Sequence, residues 1–325
     1  MRKKILQILC DNLGKYVSGE EISTKLGVTR AAVCKHVKAL KADGYRIVSK
    51  SRKGHMLIDS PEILSGFQLT CGLETNFIGN NMYVYDSVSS TNKLARQLAE
   101  EGEVEGTVII AEKQTAGKGR MGRQWVSPPA GGLWMSIILK PDIKPNNVAC
   151  LTLVIGLAIC KGLRELTDLN IGLKWPNDLV IGSKKVCGIL MELSAEVDRV
   201  NYIIAGIGLN VNLEAYHFPD ELRRTATSLY MESGQRYSRR RVAQHILYSI
   251  EQYYTRFLQT KSLAEMKEEY KNLSTVLGKE VVVTTSNTNI YGRVVDFYDD
   301  GSILLLDDEN VQHKILSGDV SLRLY

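Results

Sequence analysis

Apolar positions along the first sixty residues recur at helical spacing. Ile5, Ile8, Leu9 and Leu13 fall on one face of a first helix. A second helix is expected after Ser18-Gly19, with Glu20 and Glu21 at the positive end of its dipole and Ile22 and Leu26 facing inward. Gly27 supplies a turn, and Thr29 can cap a third helix running to about Asp43, with Val33, Val37 and Leu40 on its buried face. The period then shortens to two: Tyr45 to Lys50 and His55 to Ile58 alternate like strands around Ser51-Arg52-Lys53-Gly54. Three short helices and a basic hairpin make a winged helix-turn-helix, whose third helix suits a major groove.

Beyond Pro61 and a polar stretch to Asn81, read as a linker, strand and helix patterns alternate. Strands are expected over 82–86, 107–111, 133–139, 178–181, 185–193 and 202–210, and helices over 92–101 and 148–166, with Gly182-Ser183 as a hairpin turn. That is a mixed α/β domain. Helical periodicity returns over 239–260 and 263–273. From Gly278 the pattern becomes short strands at 281–285, 291–297, 302–307 and 311–316, a small barrel. The expected fold is thus α+β and multidomain, divided 1–64, 65–274 and 275–325.

Charge sharpens this division. The whole chain carries a formal +5, yet residues 1–59 hold thirteen Lys and Arg against five acidic residues, leaving −3 for the remaining 266. Such asymmetry points the first segment at a polyanion. Arg30, Lys35, Lys38, Arg52 and Lys53, with Thr29 at the start of the third helix, are the candidate DNA contacts; a small helical interaction domain with solvated lysines is the alternative. Lysines on phosphates orient a protein without reading sequence, so no operator follows from them. The six cysteines (Cys10, Cys34, Cys71, Cys150, Cys160, Cys187) are widely spaced without a C-x-x-C pair, and are read as buried free thiols. No uninterrupted apolar run has the length of a membrane span, and Met1-Arg2-Lys3-Lys4 leads straight into an amphipathic pattern, so a cytoplasmic protein without a membrane partner is expected.

Four segments carry candidate chemistry. Gln114 to Trp125 is rich in glycine and bears Lys118, Arg120 and Arg123. Its G-x-G-x-x-G does not open a helix, because Trp125 and Pro128-Pro129 follow, which argues against a dinucleotide fold. Gly119 stands where a phosphate loop needs Ser or Thr, so it is no Walker motif either. What remains is a mobile backbone able to wrap a ligand with cations to meet phosphate or carboxylate, or else a basic surface loop. Lys174-Trp175-Pro176-Asn177-Asp178, with Lys185 and Gly188 beyond the hairpin turn, offers a lysine, an amide and a carboxylate for a nucleotide's phosphates and their Mg2+. Ser90-Thr91-Asn92 opens a helix, where hydroxyls and N–H groups can meet a small polar head. Gly206 to Asn212 allows close approach of a ligand and offers the Asn210 amide.

In this order, the S-T-N, Q-T-A-G-K-G-R-M-G-R-x-W, K-W-P-N-D, K-V-C-G-I-L and G-I-G-L-N segments resemble the biotin–protein ligase family, in its class with an amino-terminal DNA-binding domain. The resemblance spans essentially the whole chain. It implies a catalytic domain like that of class II aminoacyl-tRNA synthetases and an SH3-like carboxy-terminal domain. It further implies two steps: biotin and ATP give biotinyl-5′-adenylate, and a lysine of a biotin carboxyl carrier protein takes the biotin. By the same resemblance Ser90, Thr91, Asn92, Gln114, Lys118, Gly119 and Arg120 surround biotin, and Lys185 lies at its carboxylate and the α-phosphate. Arg123, Trp125, Asn177 and Asn210 serve ATP; Lys174 and Asp178 lie near phosphates, the incoming amine or Mg2+. Operator DNA and a second copy of the chain are the further partners, with biotinyl-adenylate as corepressor of biotin genes. Many members have Arg where this chain has Lys118, which keeps the charge but not the bidentate fork. A lipoate or octanoate ligase, which makes a similar acyl-adenylate, a ligase with an inactive DNA-binding domain, and a ligand-sensing repressor without catalysis are the competing readings.

Overall fold

The computed structural model describes residues 1–12, 14–59, 64–285 and 288–322, so that Leu13 and Pro61 lie outside the described residues. The chain forms two compact units, Met1–Glu74 and Thr75–Tyr325.

In the first unit α1 (Arg2–Asp11), α2 (Gly19–Leu26) and α3 (Arg30–Ala42) precede the hairpin β1 (Arg46–Lys50) and β2 (Gly54–Asp59). The caps are those the sequence implies: the Ser18 hydroxyl accepts from Glu21 N at 3.0 Å and the Thr29 hydroxyl from Ala32 N at 3.2 Å, while Gly27 takes the left-handed conformation. Ile5, Ile8, Leu9, Ile22, Val33, Val37 and Leu40 meet Ile47 and Leu57 of the hairpin in one core. Gly54 is required where it stands, because a Cβ there would fall on the Val17 carbonyl.

This unit runs ten residues past the expected boundary at 64, because a short helix, α4 (Gly66–Thr70), and Cys71 belong to it. Cys10 and Cys71 form a disulfide, their Cα atoms 5.5 Å apart. That corrects the reading of six buried free thiols, as does the exposed Cys34. The pairing joins residues 61 apart in sequence, a proximity only the folded unit creates. Cys150, Cys160 and Cys187 are buried and free, and burial pushes the thiols of Cys150 and Cys160 up to about 12.

The second unit is built on a seven-stranded sheet. Its elements are β3 (Met82–Tyr85), α5 (Thr91–Glu100), β4 (Val108–Ala111), β5 (Gly132–Leu139), α6 (Val148–Thr167), β6 (Ile171–Lys174), β7 (Asp178–Ile181), β8 (Lys184–Ala195) and β9 (Val200–Asn210). The strand order is β3-β4-β5-β9-β8-β7-β6, with β3 and β4 parallel and the other pairs antiparallel. Helix α6 is long and apolar enough to cross a membrane, but thirteen of its residues are buried, so it is the core helix of this unit. After α7 (Leu229–Ser233), α8 (Arg239–Thr260) packs along α6. The helix expected over 263–273 starts late, as a 3-10 turn at Ala264–Met266 followed by α9 (Lys267–Leu273).

The segment entering this unit is anchored rather than loose: the buried Glu251 of α8 accepts from the backbone N–H groups of Asn76, Phe77 and Ile78 at 2.6, 2.9 and 2.9 Å. The carboxy-terminal strands β10 (Glu280–Thr284), β11 (Asn289–Phe297), β12 (Ile303–Leu306), β13 (Gln312–Ile315) and β14 (Asp319–Leu322) make a separate antiparallel sheet in the order β13-β12-β11-β10-β14. The sequence pattern lacked β14 and β6.

Candidate active site

Every residue nominated for chemistry lines one cavity of about 350 Å3 in the second unit. Strands β8 and β9 form its floor. Glycine keeps that floor flat: a Cβ on Gly208 or Gly188 would lie 2.4 or 3.0 Å from the Trp125 ring. The glycines thus seat the indole, and Lys185 Nζ stands 5.1 Å from its centroid. Trp125 Nε1 is buried against Gly208 without a hydrogen-bond partner.

The glycine-basic loop folds back on itself. Gly119 N donates to Arg123 O at 2.7 Å and Trp125 N to Gly117 O at 2.9 Å, while Met121 and Gly122 take positive φ to turn the chain. Arg120 donates to the Asn177 Oδ1 at 3.0 Å and the Gly318 carbonyl at 3.3 Å. Asp319 of β14 lies 2.6 Å from Arg123 and 3.6 Å from Arg120. Sequence reasoning missed Asp319, since nothing within the last strand marks it as facing a loop two hundred residues earlier.

The K-W-P-N-D segment turns between β6 and β7. Trp175 is buried and donates to Gly301 O at 3.0 Å, which ties this turn to the carboxy-terminal sheet. Asn177 also donates to Ile189 O at 2.8 Å. Lys185 Nζ sits 2.6 Å from Asp178 Oδ1, and Lys174 lines the same wall. The backbone of Lys185 is bridged on both sides by the segment over 225–227, whose neighbours Phe218, Leu222 and Ala226 close the cavity and were not foreseen. Asn210 lines the cavity, but its Nδ2 is given to Thr227 O at 2.9 Å, so it braces this closing segment.

At the opposite end Thr91 and Asn92, both buried, begin α5. Gln114 accepts from Thr91 N at 2.8 Å and donates to Ser127 Oγ at 2.9 Å. Ser90 occupies the N-cap position without a side-chain cap bond. Lys118 is bridged to Gln124 across the loop. Cations, amides and hydroxyls therefore converge on one cleft with an apolar, glycine-floored middle.

Residues 84–210 match the Biotin/lipoate A/B protein ligase family, residues 2–56 a helix-turn-helix domain and residues 276–323 the biotin protein ligase C-terminal domain. The bifunctional ligase/repressor BirA of Bacillus subtilis is 39% identical over 99% of this chain and 98% of its own length. The chain belongs to the biotin–protein ligase family. The BirA of Escherichia coli is 28% identical over 98% of this chain and 96% of its own. Among solved structures, the biotin protein ligase of Aquifex aeolicus in complex with biotin and ATP superposes with a TM-score of 0.65 at 35% identity, covering 75% of this chain and 99% of that one. The molecule is therefore a biotin–protein ligase that carries a helix-turn-helix domain, as the motif order implied.

In the first unit, the groups expected to meet DNA are all exposed: Thr29, Arg30, Lys35 and Lys38 on or before α3, Arg52 and Lys53 in the hairpin turn. Thr29 serves as the cap of α3, and Arg30 is ion-paired with Glu20, a contact that a phosphate would have to replace.

Proposed function

We propose that the ligase binds biotin with its polar head at Ser90, Thr91, Asn92 and Gln114 and its carboxylate near Lys185, and binds ATP between Trp125 and the lysines of the 174–185 wall. The observation that carries this reading is the convergence of the four sequence segments on one cavity. A biotin carboxylate oxygen attacks the α-phosphorus of ATP, the α–β bridging bond breaks and pyrophosphate leaves. Negative charge grows on the α-phosphate oxygens, where the Lys185 ammonium is a fixed counter-charge. In the second step a lysine amine of a biotin carboxyl carrier protein attacks the acyl carbonyl, AMP departs and the amine loses a proton. No protein nucleophile is required.

Mg2+ brought in with ATP would offset the charge of the phosphates, and Asp178, the carboxylate beside Lys185, would help to hold it; among the described residues no cluster of three metal-ligating side chains exists to hold it independently. The adenylate is an activated acyl group, so closure by the 114–125 loop and the 215–228 segment keeps water from it.

The regulatory half of the proposal is that biotinyl-adenylate is a corepressor. Its binding favours a homodimer, which presents two helix-turn-helix units to an inverted repeat of operator DNA. Such a protein works in the cytoplasm, where its acceptor and the chromosome are. Incubation with labelled biotin, ATP and an unbiotinylated carrier domain tests the first half: label should appear on one acceptor lysine. Transfer of lipoate instead of biotin would overturn the substrate assignment.

A further inference from the structure

Beneath the head-group end of the cavity, Thr91 and Asn92, which line it, continue into a chain of side chains that do not: the buried Ser136, the half-buried Glu192 and the exposed Arg96. Glu192 of β8 takes Arg96 at 2.9 Å on one oxygen and the Asn92 Nδ2 at 2.8 Å on the other. The same Nδ2 faces Leu190 O at 3.4 Å, so a carboxylate and a carbonyl fix which way the Asn92 amide points. Asn92 Oδ1 lies 2.6 Å from the Ser136 hydroxyl, which in turn lies 2.7 Å from the Thr91 hydroxyl. The packing is built for this arrangement: Ser136 is fully buried, and a Cβ on Gly206 would fall 2.1 Å from Asn92 Oδ1.

Counting protons fixes the direction of every bond. Asn92 Oδ1 only accepts, so the single Ser136 proton goes to it. Ser136 then accepts from Thr91, its hydroxyl at 2.7 Å standing nearer than Gln114 Oε1 at 3.2 Å, so the Thr91 proton is used inside the protein. Gln114 Oε1 already accepts from Thr91 N. Thr91 therefore turns only lone pairs toward the ligand. We infer that Glu192 and Ser136 are specificity-determining positioning residues: through Asn92 they hold the Thr91 hydroxyl as an acceptor, which selects a ligand whose head donates an N–H. This rests on the reading that the biotin head lies at Thr91. A ureido ring meets the requirement, whereas a head bearing only sulfur or oxygen at that point leaves acceptor against acceptor.

The inference is tested on the full chain by calorimetric titration with biotin and with its two cyclic carbamate analogues, each having one ureido N–H replaced by a ring oxygen of nearly the same size. Wild type should prefer biotin over the analogue that puts oxygen at Thr91 by about a hundredfold or more, because a site built to accept an N–H rejects the isostere lacking it. Glu192→Gln is isosteric but turns the chain around. Its amide donates to Asn92, the Asn92 amide flips, Ser136 donates to Thr91, and the Thr91 proton is no longer taken by Ser136. That variant and Ser136→Ala should shrink the preference by about tenfold or more, with the loss appearing in KM for biotin and not in kcat. If both variants weaken biotin and the carbamates equally, the residues merely support the fold and the inference fails. If Thr91→Val leaves both ligands bound as in wild type, the head lies elsewhere, and the placement beneath the inference falls with it.

Discussion

Lys185 stands where three features meet: an ion pair with Asp178, the face of Trp125, and a backbone held by residues 225 and 227. Its ammonium is thus fixed before substrate arrives, and fixed charge is what stabilises charge that develops in a transition state. Lys185→Ala should lower the rate of pyrophosphate release by about a hundredfold or more, a typical effect of removing one preorganised donor. A wild-type rate in that variant would take Lys185 out of the reaction. Glu251 allows a prediction about pH. Burial alone raises its carboxyl, but the N–H groups of Asn76, Phe77 and Ile78 and the Asn76 amide outweigh burial and hold it below the usual carboxylate value. A depressed folded value means stability that is full above the unfolded carboxyl's range and is lost as pH falls through the folded one. Glu251→Gln should cost about 2 kcal/mol at neutral pH, as expected for hydrogen bonds to a buried charge, and the deficit should shrink in acid. Urea melts of both proteins at pH 7 and pH 4 measure this; a deficit independent of pH would refute it.

At the scale of elements, the 114–125 loop is held by pieces far from it in sequence: Asn177 after β6, and Gly318 and Asp319 at β14. Arg120→Gly removes one of its tethers as well as a cation from the cavity. The adenylate should then dissociate sooner and label lysines without selectivity, read as diffuse biotinylation of a bystander protein. Adenylate retained as long as in wild type would mean that this loop is not the cover. In the first unit the Cys10–Cys71 disulfide joins the end of α1 to the residue after α4. Closing a loop of that length is worth about 4 kcal/mol at most by the chain-entropy relation. Since both sulfurs are packed in the core of that unit, a reduced pair can occupy the same space. Dithiothreitol should therefore lower the melting temperature of the first unit while ligation by the second proceeds unchanged, and an unchanged melt would show that the bond contributes nothing.

For the molecule as a whole, the division into units gives the test of coupling. Operator binding should strengthen with biotin plus ATP and weaken when unbiotinylated carrier is added, because only differential affinity of the ligand for the dimer can shift the equilibrium. Added salt should weaken it by about 0.9 log units per log unit of salt for each phosphate neutralised. A chain starting at Thr75 should lose operator binding and keep ligation. That start leaves the first unit's α4 and Cys71 out and retains the residues that Glu251 anchors. Mobility shifts at fixed salt that ignore biotin and ATP would sink the corepressor proposal and leave the ligase untouched.

Periodicity alone located α1, α2, α3, the basic hairpin, α5, α6 and the long strands, because each spans enough residues for an apolar stripe to repeat. The motif segments were legible for a similar reason: glycine, lysine, tryptophan and proline in a fixed order constrain chemistry locally. What the sequence by itself could not decide was partnership between distant residues. Cys10 with Cys71, Asp319 with Arg123, Glu251 with the 76–78 backbone and Glu192 with Asn92 are each separated by 61 residues or more. Such pairs leave no periodic trace, since each member looks like an ordinary polar or small residue in its own segment. Only folding brings them within reach, and those contacts set how rigidly the locally legible groups are held.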